Sequence, residues 1–481
     1  MRDKMLRNRQ IECGILEAEQ QFKDCWSKLL TLRGDEADKT ELLEVVLSFQ
    51  PTLGKALFKV ESLYQKVCQE GRELVARRDK LTRKGVRRRL HTLNGFKHLL
   101  KQCADVGKAL GDAYAWCFYQ DERELLRKHR EQEPNPHPPT GIGGIGEIEF
   151  VTRLPKYGNY LVIAHSTTTF LRLGDVSLID PETFRVAGIG ELKTCESGTS
   201  GMDVTIILVG PNLAKENLPE ITSNAGDKSK PEAKPLPPRL QERLNRQLSR
   251  IKESFKPKAS DGMVGSHKAV GDFHHAKLGE LYAHCSKAGW GYLKADRGLL
   301  LVGIPRDGET LYARLTAKLA AKRTFKRLRI NEAARTIVDK ALPDNSIRID
   351  WVHYRARQRY VLESEMRPLF WWPLPLGVIE ALLFKHFAVM TLYNPAFLIA
   401  DLRSAGVEVT SNEGGAIRIW KQTGEKRFEV CGISYFLRLV QSELLSDKAI
   451  AAVIQHMVQS AEAAGFQRSA TVSLDLNFLF E

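Results

Sequence analysis

Apolar positions recur at helical spacing through the first 133 residues. Leu16, Phe22, Trp26, Leu29 and Leu30 form one stripe, and Leu57, Val60, Leu63 and Val67 form another. Thr40 followed by Glu41 opens a helix, while Gly34 and Pro51 mark breaks. A third helix is predicted from Thr92 or Asn94 to about Glu131. Its stripe of Phe96, Leu99, Leu100, Cys103, Val106, Leu110, Tyr114, Cys117 and Phe118 is that of core or partner packing. Residues 1–133 are therefore predicted to be an N-terminal helical bundle or coiled-coil arm.

The period changes after the proline-rich linker QEPNPHPPT, 132–140. A glycine-rich stretch, 141–146, leads into a helix that sets Ile148, Val151 and Leu154 against a sheet. Residues 160–163 form a strand and 167–171 are extended. Next come two apolar runs, 175–180 and 184–194, joined by the polar turn Pro181, Glu182, Thr183. Residues 202–209 supply another strand. A polar stretch at 211–238 and a loose one at 256–271 flank an amphipathic helix at 239–255. Together they make an insertion near 211–271. After a helix at 278–288, the hairpin 291–304 is expected to complete the same sheet. The expected domains are thus the arm, a central α/β domain at 140–305 and a C-terminal α+β region at 310–481. The last should contain helices at 311–330, 377–392 and 449–463, with strands at 415–420 and 427–432.

Strand geometry gives the 175–194 hairpin chemical content. Alternate side chains share a face, so Glu191 and Lys193 point together and Leu192 points into the core. Pairing of the two strands brings Asp175 near Glu191. Hard cations such as Mg²⁺ take oxygen ligands of this kind, and a neighbouring lysine can position a water or support developing negative charge. The alternative is a surface hairpin with a weak ion pair.

Asp175 followed by Glu191, Leu192 and Lys193 resembles the PD-(D/E)xK nuclease superfamily, the restriction-endonuclease-like fold that includes Holliday-junction resolvases. A preceding helix with a further glutamate fits that pattern, with Glu147 the better match and Glu149 the reserve. Gly174 stands where the family name has proline. The resemblance covers about 140–305 and implies a metal-dependent endonuclease. Asp175 and Glu191 would hold Mg²⁺ or Mn²⁺, with the Leu192 carbonyl as a further ligand. Lys193 would handle the water and Glu147 would assist. Gln247 or Arg250 would fill a polar role in the later helix. It further implies a nucleic-acid substrate, DNA rather than RNA, and by architecture a role in antiphage defence or restriction. Many such enzymes dimerise or join a partner subunit. The competing reading is a non-catalytic nucleic-acid-binding or scaffold subunit of a defence or repair complex.

Charge adds an anionic partner to this picture. The chain of 481 residues carries a formal net charge of +14, which favours nucleic acid. Arg77, Arg78, Arg87, Arg88 and Arg89 form one basic stretch, and Lys322, Arg323, Lys326 and Arg327 a second. Each is either a phosphate-binding surface or a solvated helix face. Phe370, Trp371 and Trp372 before Pro373 suit core packing better than base stacking. The eight cysteines show no C-x-x-C pair, and His274, His275 and His284 lack the spacing of a zinc set. No signal core or uncharged membrane span is present, so a cytoplasmic protein is expected. No helicase, kinase or ATPase motif occurs.

Overall fold

The computed structural model describes residues 8–34, 38–76, 83–130, 132, 147, 150, 152, 155–197, 201–210, 213, 238–255, 264–267, 273–316, 330–342, 346–352, 368–411, 417–424, 426–430, 433–442, 444–463 and 471–474. It divides into two compact units, the first made of Met1–Lys258 and Arg355–Ser364 and the second of Ala259–Tyr354 and Glu365–Glu481.

In the first unit, helices α1 (Asn8–Arg33), α2 (Lys39–Ala76) and α3 (Arg83–Tyr119) pack on one another, and a short α4 (Arg123–Arg130) follows. The predicted stripes lie along the packed faces, with Leu16, Leu30, Leu99 and Cys117 half-buried at their margins. Ile11, Ile15, Phe22 and Leu29 of α1 are buried, as are Leu53, Leu57, Val60 and Val67 of α2 and Leu100, Val106 and Leu110 of α3. Two expectations change. Pro51 lies inside α2 and does not end it. The third helix starts at Arg83 and stops at Tyr119, with Arg123–Arg130 a separate helix.

The helices are not a free-standing arm. They share the unit with a five-stranded antiparallel sheet of order β1-β2-β3-β4-β5. The strands are β1 (Lys156–Tyr157), β2 (Tyr160–Ala164), β3 (Val176–Ile179), β4 (Val186–Ser197) and β5 (Gly201–Val209). A 3-10 turn, His165–Thr167, follows β2. It occupies the start of the stretch predicted to be extended.

Helix and sheet meet at this turn. The Gln50 side chain accepts the Ala164 N–H at 3.2 Å and donates to Thr167 Oγ1 at 3.3 Å. Asp112 accepts both the N–H and the hydroxyl of Thr169, each at 2.6 Å. Gly111 lets α3 touch the turn: a Cβ there would lie 2.0 Å from the Thr167 carbonyl oxygen. Phe150, Tyr160, Val162, Val176, Leu178 and Leu192 form the apolar core of the sheet. The helix Pro238–Ser254 completes the described part of the unit.

The second unit contains β6 (Val264–His267), β7 (Gly291–Lys294), β8 (Leu299–Pro305), β9 (Arg348–Trp351), β10 (Phe387–Tyr393), β11 (Glu408–Ser411), β12 (Ile417–Thr423), β13 (Lys426–Val430) and β14 (Thr471–Leu474). The hairpin predicted at 291–304 forms, but it does not complete the first sheet. β8 pairs with β7 and β10 in a separate sheet of order β7-β8-β10-β9. The central domain expected at 140–305 is therefore divided, and its last hairpin belongs to the second unit.

The apolar run expected to be one helix over 377–392 is the helix Leu376–Leu383 followed by strand β10. Lys385 has φ +64°, which stops the helix. FAVMTLY beyond it is rich in β-branched and aromatic side chains and continues extended. Phe370 and Trp372 are buried, and Trp372 stacks on His275 with ring centres 4.5 Å apart. This matches packing of the aromatic cluster. Within 311–330, the described helical residues are Leu311–Thr316 and the start of Ile330–Arg335. Among the described residues no helix is long and apolar enough to cross a membrane.

Candidate functional site at the end of the β3–β4 hairpin

β3 and β4 pair antiparallel, with Val176 opposite Gly190 and Ser177 opposite Ile189. Just beyond β3, the Asp175 N–H donates to the Gly190 carbonyl at 2.8 Å. The ladder ends there, and Asp175 takes over as a side-chain acceptor: the Leu192 N–H donates to its Oδ2 at 2.8 Å. Asp175 is thereby fixed beside the segment carrying Glu191 and Lys193.

Glu191 and Lys193 share a face of β4, as alternation requires. Glu191 is buried, 4% exposed, and Lys193 Nζ donates to its Oε1 at 2.9 Å. The lysine side chain is a third exposed, so the pair spans the boundary between core and solvent.

Gly174 makes the approach to Asp175 possible. Its φ is +75°, and a Cβ would lie 2.7 Å from Ile189 Cγ2 and 2.9 Å from the Gly190 oxygen. A glycine at 174 thus answers a local steric demand.

Glu147 is a further carboxylate, one that feels the charge of Asp175. It is helical and buried, and its Oε1 has no hydrogen-bond partner. Burial, then the charge of Asp175, pushes its carboxyl up to about 8, although Ser166 and Lys108 pull the other way. Two carboxylates influencing one another, with one buried oxygen unsatisfied, form a donor set suited to a hard divalent cation. Oxygen donors of this kind are those that Mg²⁺ or Mn²⁺ would take. Among the described residues, however, no three His, Cys, Asp or Glu side chains already converge as a metal-holding group. Leu192 lies on β4 between Glu191 and Lys193, with its N–H committed to Asp175.

Several groups around the site escape sequence reasoning. Lys108 of α3 is buried and held below the usual lysine range, chiefly by burial, while Asp112, Glu61 and Glu147 oppose that shift. His129, Tyr119, Ser177 and His165 are all buried and hydrogen-bonded in series behind Asp175. Their only sequence signal is a polar residue inside an apolar pattern, such as Ser177 within VSLI.

The basic stretches separate into different cases. Arg87 and Arg88 are exposed near the start of α3. Arg89 instead joins two helices, with Nε on Glu70 Oε1 at 2.7 Å and Nη2 on Glu70 Oε2 at 2.9 Å. Arg77, Arg78, Lys322, Arg323, Lys326 and Arg327 lie outside the described residues, as does Glu149. Gln247 has a buried Oε1 without a hydrogen-bond partner, and Arg250 is exposed on the same helix. In comparisons with known proteins, no family model, no curated protein and no solved structure matches the chain.

Proposed function

We propose that the protein is a divalent-cation-dependent nuclease of the PD-(D/E)xK kind, hydrolysing phosphodiester bonds of nucleic acid, with DNA the expected substrate. The observation that carries the reading is the bond from the Leu192 N–H to Asp175 Oδ2, which brings Asp175 against the strand bearing Glu191 and Lys193.

Asp175, Glu191 and Glu147 would hold the ion through carboxylate oxygens, with the Leu192 carbonyl as a further donor. A bound Mg²⁺ or Mn²⁺ supplies an acidified water and stabilises charge on phosphate. Lys193, partly open to solvent, orients the attacking water and supports the developing charge. Glu147 contributes its orphaned oxygen and must release its proton to do so. Arg87 and Arg88 give sequence-independent attraction to a phosphate backbone. About 36 Å of helix separates Arg87 from Gly111, at about 1.5 Å per residue, roughly one turn of duplex.

The net charge of +14 supports an anionic substrate. A second reading, a non-catalytic nucleic-acid-binding subunit, is favoured by the direct Lys193–Glu191 ion pair and the lack of three preassembled ligands among the described residues. Incubation with plasmid, linear duplex, single-stranded DNA and RNA in Mg²⁺, Mn²⁺ or EDTA separates the two. Metal-dependent cutting that Asp175→Asn and Glu191→Gln abolish is the result expected of the nuclease. Binding without cutting on every substrate identifies the subunit.

A further inference from the structure

We propose that His165 is a positioning residue for Asp175, locked in one tautomer by a directional hydrogen-bond chain through Ser177, Tyr119 and His129. The consequence for cation binding rests on the reading of Asp175 as a ligand; the positioning itself does not.

The proton positions follow from the partners. His129 Nδ1 accepts two main-chain donors, the N–H of Arg172 and that of Leu173, each at 3.0 Å. That nitrogen carries no proton, so the neutral ring carries its proton on Nε2. Nε2 lies 3.3 Å from the Tyr119 hydroxyl and donates to it. Tyr119 then directs its own proton to Ser177 Oγ. Ser177 in turn donates to His165 Nε2 at 2.6 Å. His165 must therefore carry its proton on Nδ1, which donates to the Gly174 carbonyl at 3.0 Å.

The chain closes on the loop where it began. It starts at the amides of Arg172 and Leu173 and ends at the carbonyl of Gly174. His165 also donates its main-chain N–H to the Asp175 carbonyl at 2.9 Å. One residue thus holds the carbonyl oxygens on both sides of the Asp175 Cα. With the Asp175 N–H on Gly190 and Oδ2 on Leu192, little freedom remains in how that carboxylate is presented. The four linked side chains come from α3, α4, the 3-10 turn and β3, so the helical layer helps orient a residue on the sheet. Supporting contacts around metal ligands typically contribute 10–100-fold to affinity.

The test uses the full-length chain. Nitrogen-15 NMR of the histidines in the unaltered protein should show His165 with its proton on Nδ1. A proton on Nε2 overturns the proposal, whatever the variants do. Hydrogen exchange at the Leu192 amide reports the Asp175 side chain, because that amide donates to its Oδ2. In Ser177→Ala, Leu192 exchange should accelerate at least tenfold while the β2–β3 amides keep their protection. Tyr119→Phe, which leaves Ser177 able to donate to His165, should give a smaller acceleration.

Unchanged Leu192 exchange in a folded Ser177→Ala protein overturns the proposal. Mn²⁺ titration should show about tenfold weaker binding in Ser177→Ala, and any cleavage should lose kcat with KM for nucleic acid unchanged. If the unaltered chain binds no Mn²⁺ while Leu192 exchange responds as expected, the cation reading fails and the positioning role stands.

Discussion

Replacing Glu147 by glutamine should stabilise the metal-free protein. The buried carboxyl has its proton affinity raised from 4.5 to about 8. A group whose folded value is raised contributes fully to stability below the unfolded value, and that contribution is lost as pH rises through the folded value. Each pH unit between 4.5 and 8 therefore removes about 1.4 kcal/mol. Glutamine keeps the shape and carries no titrating proton, so this slope disappears. Relative to the unaltered protein, Glu147→Gln should gain little at pH 4.5, about 3 kcal/mol at pH 7 and about 5 kcal/mol above pH 8. Urea unfolding with EDTA at the three pH values measures the difference; groups remote from Glu147 cancel between the two proteins, while Asp175 and Lys108, which interact with it, do not. The same variant should lose any stabilisation by Mn²⁺ that the unaltered protein shows at pH 9. A variant less stable than the parent at pH 9 in EDTA would refute the reasoning.

Three further outcomes follow from the same geometry. Gly174→Ala places a Cβ against Ile189 and the Gly190 oxygen at positive φ, and should lower stability by about 2 kcal/mol in urea unfolding. It should also weaken Mn²⁺ binding, since Asp175 is the next residue. Gly111→Ala drives a Cβ into the Thr167 carbonyl and should cost about 2–3 kcal/mol, with faster proteolysis between α3 and the sheet. His165 is lowered from 6.5 to about 4, mainly by burial, so the stability of its neutral form is present above pH 6.5. That stability is lost as pH falls from 6.5 toward 4, and Leu192 exchange at pH 4 should be faster than at pH 7 after correction for intrinsic rate.

The hairpin was legible because its evidence is local. Two apolar runs around Pro181 specify the turn, and strand alternation puts Glu191 and Lys193 on one face. Burial of the stripes in α1 to α3 was legible for the same reason. Pairing between distant strands was not: LLLVGIP reads alike whether it borders β4 or β10, and only tertiary packing chooses. Pro51 misleads because one missing amide does not outweigh the buried stripe on either side of it. The buried chain from His129 to His165 draws on residues far apart in sequence. Its trace is limited to single polar residues in apolar settings, such as Asp112 on the packed face of α3.

The most direct test of the central claim compares the unaltered chain with Lys193→Ala on the same duplex DNA in Mg²⁺. The account predicts that the unaltered protein cuts and is stopped by EDTA. Lys193→Ala should remain folded and bind Mn²⁺, although it loses the ion pair to the buried Glu191, yet lose at least a hundredfold in cleavage rate. Equal cleavage by the two proteins would contradict the assignment of the site.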